Sequence, residues 1–238
     1  MCDDQWERIK ERDLVERLLQ KLKQFQRIGD RLMPSFENWR RTWTRLGASV
    51  ADSRLFADVR ACYSEPHRKY HTIQHLDECF EKLEELRADA IHPGEIELAL
   101  WFHDAIYDVK RQDNEEKSAG WARASVLAAG LSRSSADRVH ALIMATGHNA
   151  VPSEPDEAIL VDVDLSILGA APARFDEYEK QIREEYSWVP GFLFRTKRRS
   201  ILKEFLARPT IFNTRKFVVT YEARARENLE RSISKLDG

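Results

Sequence analysis

The run Pro93-Gly94-Glu95-Ile96-Glu97-Leu98-Ala99-Leu100-Trp101-Phe102-His103-Asp104 decides the fold. Pro93 suits the first turn of a helix, where the N–H it lacks would have no partner in any case. From Leu98 to Phe102 there is little polar interruption, which predicts a central helix buried on most of its surface. Ile96, Ala99, Leu100, Phe102 and His103 are expected to face inward. A histidine and an aspartate then close the apolar run. A charged aspartate in that place is costly unless it is paired or bound to a metal.

Working outward, the upstream piece Tyr70-His71-Thr72-Ile73-Gln74-His75 spaces two histidines at i and i+4, on one side of a predicted helix. Thr72 can cap that helix, and Ile73, Leu76, Phe80, Leu83 and Leu86 form its buried stripe. Cys79 sits beside the stripe and reads as a small buried side chain. Downstream, Asp162 and Asp164 interrupt the apolar run Ile159 to Leu168. Two carboxylates in such a run need a partner. Imidazole and carboxylate together suit a divalent transition metal. By itself His103-Asp104 would read as a helix-end pair that hydrogen-bonds locally. The histidines before it and the aspartates after it turn the reading toward a metal site. Asp162 and Asp164 are two residues apart on a helix and cannot share a face.

The remaining periodicity is helical throughout, and no strand or internal repeat is found. Helices are expected from Pro34-Ser35 to Gly47, over 52–63, from Asp113 or Asn114 to Gly130, and from Ser132 or Ser134 to near Gly147. Others are expected over Pro155–Leu168, Pro172–Tyr186, Pro190–Ala207 and from Thr214 to about Lys235. Residues 1–30 read as one amphipathic helix carrying Trp6, Leu14, Leu18 and Phe25. The expectation is an all-α chain, with an N-terminal helical arm over 1–30 and one domain over 31–238.

Composition sets limits on function. The chain has 238 residues, 42% hydrophobic and 33% charged, with a formal net charge of −2. That balance gives no global field for nucleic acid or an anionic membrane, and no groove-reading motif is present. No apolar run approaches the ~20 residues of a membrane span. Cys2, Cys62 and Cys79 are unpaired in spacing and read as thiols of a cytoplasmic protein. An exposed apolar stripe on the arm would favour a homo-oligomer.

The ordered set His75, His103-Asp104 and Asp164 resembles the HD superfamily of metal-dependent phosphohydrolases. The Tyr70-His71-x-x-x-His75 piece also looks like the motif of cyclic-nucleotide phosphodiesterases, a branch of that superfamily. Together with Trp101 to Asp108, Asn114-Glu115-Glu116-Lys117-Ser118-Ala119 and Asp164-Leu165-Ser166-Ile167-Leu168-Gly169, these pieces are similar to a bacterial subgroup of HD phosphohydrolases. The likeness spans roughly residues 35–235. It implies an all-α HD fold holding Mn²⁺, Fe²⁺, Zn²⁺ or Mg²⁺ through His75, His103, Asp104 and Asp164. It also implies that His71 donates a proton to the leaving oxygen. Asp164 is preferred to Asp162 because the family's aspartate directly precedes the Leu-x-x-Leu-Gly-like stretch. The implied substrate is a small phosphorylated molecule, a nucleotide by preference.

Further candidates surround this set. His148 ends a helix, where it either meets the helix dipole or binds substrate. Arg195 and Arg198 lie in a basic cluster suited to phosphate, although such a cluster is more often a solvated face. Asp108 either orients a ligand histidine or caps the following loop. Glu116 either holds a ligand in place or serves the first turn of its helix. Two other functions compete with hydrolysis: a non-catalytic module that binds metal or nucleotide, and a di-iron oxygenase of the same fold.

Overall fold

The computed structural model describes residues 34–148 and 151–237. Within them the chain is all-α, with ten α-helices and no strand. The amphipathic segment expected over 1–30 lies outside the described residues. No helix among the described residues is long and apolar enough to cross a membrane.

Helix α1 (Phe36–Arg45) starts under Ser35, whose side chain accepts the Asn38 N–H. It stops before Gly47, which takes a left-handed φ of 91°, a conformation that costs glycine nothing. Asp52 caps α2 (Ser53–Cys62) by accepting two N–H groups. Thr72 caps α3 (Ile73–Leu86) through the Gln74 N–H. This cap corrects one expectation. His71 lies outside the helix, so His71 and His75 do not stack one turn apart on it. The bend before Thr72 nonetheless leaves their rings 5.9 Å apart.

Helix α4 (Pro93–Phe102) is buried from Gly94 to Phe102. It packs against α1, α3, α5 (Asn114–Ala128), α6 (Arg133–Ala145) and α7 (Pro155–Asp164). Trp101 meets Trp39 edge-on at 5.3 Å and Phe80 at 5.3 Å. Two acids on this buried helix are matched. Glu97 accepts from Arg45, Arg87 and Thr42, and Glu95 accepts from Arg138 and Ser135. Pairing of this kind is what makes a buried carboxylate tolerable.

The helix expected over Pro155–Leu168 is shorter: α7 ends at Asp164 and Leu165–Gly169 tightens into a 3-10 turn. The cause lies in α10 (Arg215–Asp237), which packs on that turn. Asn228 Nδ2 donates to the carbonyls of Leu168 and Ala170, and Arg224 Nε donates to that of Gly169. These side chains satisfy carbonyls that would otherwise need a further helical turn. Helices α8 (Pro172–Glu185) and α9 (Gly191–Leu206) complete the set.

Candidate metal centre

Three helices bring the expected ligands together. His75 stands in the first turn of α3, His103-Asp104 at the end of α4, and Asp164 at the end of α7. His75 Nε2 lies 3.1 Å from His103 Nε2, 3.5 Å from Asp104 Oδ2 and 3.2 Å from Asp164 Oδ1. His103 Nε2 lies 3.1 Å from Asp104 Oδ2 and 3.6 Å from Asp164 Oδ1. Donors bound to one ion at about 2.1 Å stand about 3.0 Å apart at a right angle and about 3.4 Å apart at a tetrahedral angle. Three of the five separations fall in that range and the other two exceed it by about 0.1–0.2 Å, so the two imidazoles and two carboxylates could close on a single divalent ion with small shifts. His103 Nδ1 donates to the Leu100 carbonyl at 2.8 Å, which leaves the Nε2 lone pair facing the cluster. The imidazoles are 1–2% exposed and the carboxylates 15–19%, so the cluster opens on its carboxylate side.

The electrostatics agree with that fit. Burial opposes charge on His75 and His103, yet it is outweighed, at His75 by Cys79 and Tyr70 and then the two carboxylates, at His103 by Asp104 and then Tyr63 and Asp164, and both rings are held well above the usual histidine range. Burial would raise Asp104 and Asp164, but the surrounding histidines, His103 foremost, hold both well below the usual carboxylate range. A site that retains protons on its imidazoles in this way exchanges them for a dication when one binds.

Cys79 has its sulfur within 4.8 Å of the donor atoms of His75, His103 and Asp164. It stands 3.7 Å from both ring nitrogens of His75. Equal distance from both places the sulfur across the ring rather than beside the Nε2 lone pair. Cys79 and Asp104 are the two side chains placed to complete a site with His75, His103 and Asp164.

His71 stands beside the cluster on a separate support. Its Nδ1 bonds Glu185 Oε2 at 2.8 Å, and its ring stacks on Tyr107 at 4.1 Å. Glu185 also accepts the backbone N–H groups of Lys69, Tyr70 and His71 and the Tyr107 hydroxyl. One buried carboxylate thus fixes the segment, the ring that stacks on His71, and His71 itself. Nε2 remains as the nitrogen available to a substrate.

Arg68 fastens the two motif segments from below. Its guanidinium donates to the carbonyls of His71, Asp104 and Ala105 and to Glu65. Neither Arg68 nor Glu185 was singled out by sequence. Glu185 did carry a signal: it is an acid in the last turn of α8, where the helix dipole disfavours one. Arg68 carried none.

The other candidates separate. Asp162 accepts from Asn213 N, Asn213 Nδ2 and Thr214 N, so it anchors the start of α10 and takes no part in the cluster. His148 Nε2 lies 3.0 Å from Asp164 Oδ2, on the oxygen turned away from His75, and its backbone φ is 53°. A left-handed non-glycine residue costs on the order of 1 kcal/mol or more, which the bond to Asp164 helps offset. Asp108 is exposed and accepts the Lys110 N–H. It shapes its own loop and orients no ligand histidine, since a backbone carbonyl already does that for His103. Glu116 is exposed in the first turn of α5 and does not reach the cluster. Arg198 lines a cavity shared with His71, and Glu179 matches its charge. Arg195 lines a different depression, with Asp176, Glu179 and Lys235.

No protein-family model, curated protein or solved structure matches the chain. The functional reading therefore rests on the side chains themselves.

Proposed function

We propose that this protein is a metal-dependent phosphohydrolase of the HD type, acting in the cytoplasm on a phosphoester or phosphoanhydride of a small substrate, with nucleotides as the first class to test. The observation that carries the reading is the pairing of two distinct groups. A four-donor cluster of His75, His103, Asp104 and Asp164 stands beside a histidine, His71, held from behind by a buried carboxylate. A structural ion site would need the first group only.

A divalent ion held by those four side chains would polarise a phosphoryl oxygen and lower the pKa of a bound water. The open carboxylate side of the cluster is where substrate approaches. Water adds to phosphorus as the P–O bond to the leaving group breaks. The departing oxygen takes its proton from Nε2 of the His71 imidazolium. Glu185 stays on Nδ1–H throughout and keeps the ring in one orientation, while Tyr107 fixes its plane. His148 holds the outer oxygen of Asp164 and so limits rotation of that carboxylate.

The test is metal content per chain, by elemental analysis of protein purified without chelator, for wild type and Asp104→Ala in parallel, followed by a phosphoester screen. About one transition metal and turnover in the wild type, with both lost in Asp104→Ala, is the expected result. Metal without turnover of any phosphoester would favour a non-catalytic binding module. Close to two irons per chain would favour an oxygenase. Turnover by metal-free Asp104→Ala would sink the proposal.

A further inference from the structure

A cavity of ≈ 470 Å³ opens against His71, on the side of the ring that faces α8 and α9. That volume is in the ordinary range for a small-molecule site. Its walls are apolar and largely aromatic: Tyr107, Tyr178, Tyr186, Trp188 and Phe194 line it with the imidazole of His71, beside four valine and isoleucine side chains. No aspartate, glutamate, asparagine or glutamine does so among the described residues. Two cations complete the lining, Lys197 and Arg198. Glu179 already matches Arg198, whereas Lys197 is exposed and has no acidic partner among the described residues.

The cavity meets the candidate centre through His71 alone; none of the four metal-ligand candidates lines it. This position assigns its role. A proton donor faces the leaving group, so space on the donor's far side receives the departing part of the ester and not the phosphoryl group. Flat aromatic walls hold a flat ring by stacking and edge contacts. No amide or carboxylate side chain is at hand to read the ring's hydrogen-bonding edge, and the Tyr107 hydroxyl is already engaged by Glu185.

We infer that this cavity binds a planar aromatic ring by stacking, and that the substrate is a phosphate ester whose leaving group carries that ring. The second half rests on the hydrolase reading above, and the first half does not. Esters of small aliphatic alcohols are poor substrates.

The experiment uses the full chain and three probes: 2-naphthol, 2-naphthyl phosphate and glycerol phosphate. Calorimetry measures 2-naphthol binding to wild type, Trp188→Ala and Lys197→Ala. Trp188 is 54% exposed, so its truncation leaves the core intact. Expected are saturable binding to wild type, about tenfold weaker binding to Trp188→Ala, and unchanged binding to Lys197→Ala. The kcat/KM for 2-naphthyl phosphate should exceed that for glycerol phosphate by at least tenfold. If wild type does not bind 2-naphthol, or Trp188→Ala binds it equally well, the inference is overturned, and hydrolysis of glycerol phosphate would leave the hydrolase reading standing. If 2-naphthol binds in a Trp188-dependent way and no ester is hydrolysed with any metal, the hydrolase reading falls while the cavity keeps its aromatic ligand.

Discussion

Asp162 and Asp164, two residues apart on α7, bind entirely different partners. Asp164 joins His75 and His103, while Asp162 accepts three N–H donors where the chain enters α10. Their substitutions should separate cleanly. Asp162→Ala should lower stability by about 2–4 kcal/mol, because it removes three hydrogen bonds accepted by a buried carboxylate, and should retain metal. Asp164→Ala should lose metal with a smaller change in stability. Urea denaturation and elemental analysis of both variants check this. Loss of metal in a folded Asp162→Ala protein would contradict it.

His71 should matter for turnover and not for metal. His71→Asn is expected to reduce kcat by roughly 100- to 10,000-fold at unchanged metal content. Glu185→Gln, which keeps the shape but removes the charge, should reduce it by roughly tenfold to a hundredfold. Steady-state kinetics with elemental analysis on the same samples decide the matter. Metal lost from His71→Asn would make His71 a ligand.

Glu185 also ties stability to acid. Burial alone would raise its carboxyl, but the bond to His71, the charge of His71 and the N–H groups of Lys69 and His71 bring it down to about 2. A carboxylate depressed on folding adds stability above its unfolded pKa of about 4.3 and loses it as pH falls toward the folded value. Glu185 should therefore contribute up to about 3 kcal/mol at neutral pH, fading from about pH 4.5 down to 2. Denaturant midpoints between pH 2 and 7 should fall less steeply with acid in Glu185→Gln than in wild type.

Gly169 sets the contact between the 3-10 turn and α10. A Cβ there would stand 2.7 Å from Cβ of Tyr221. Gly169→Ala should cost about 1–3 kcal/mol through forced separation of the two elements. A thermal scan against wild type measures it, and an unchanged midpoint would mean that α10 yields easily.

The helices and the four-donor cluster were legible because their signals are local. Ser35, Thr72 and Pro93 mark helix starts, and Gly47 and Gly130 mark ends, within one turn of where the chain obeys them. The histidines and aspartates announced themselves by sitting where a charge is costly. What stayed hidden depends on distance along the chain. Glu185 meets His71 across 114 positions, and its one local signal, an acid in the last turn of a helix, is submerged among the other charges of α8. The shortening of α7 was likewise set by α10. The choice between Asp162 and Asp164 needed the position of Thr214, which periodicity on α7 does not contain. Asp108 drew attention by its place four residues after Asp104 and Glu116 through resemblance; Asp108 shapes its own loop, and Glu116 stands exposed in the first turn of α5.

The guanidinium of Arg68 joins the carbonyls of His71, Asp104 and Ala105. It staples the two motif segments to each other through backbone, with no metal in the bond. A socket held shut in this way has little refolding to couple to ion capture. Its selectivity must then come from donor chemistry, and two nitrogens with two oxygens discriminate poorly among neighbouring first-row metals. The ion such a site carries would follow supply, so cells grown on manganese and cells grown on iron should yield the same fold with different occupants.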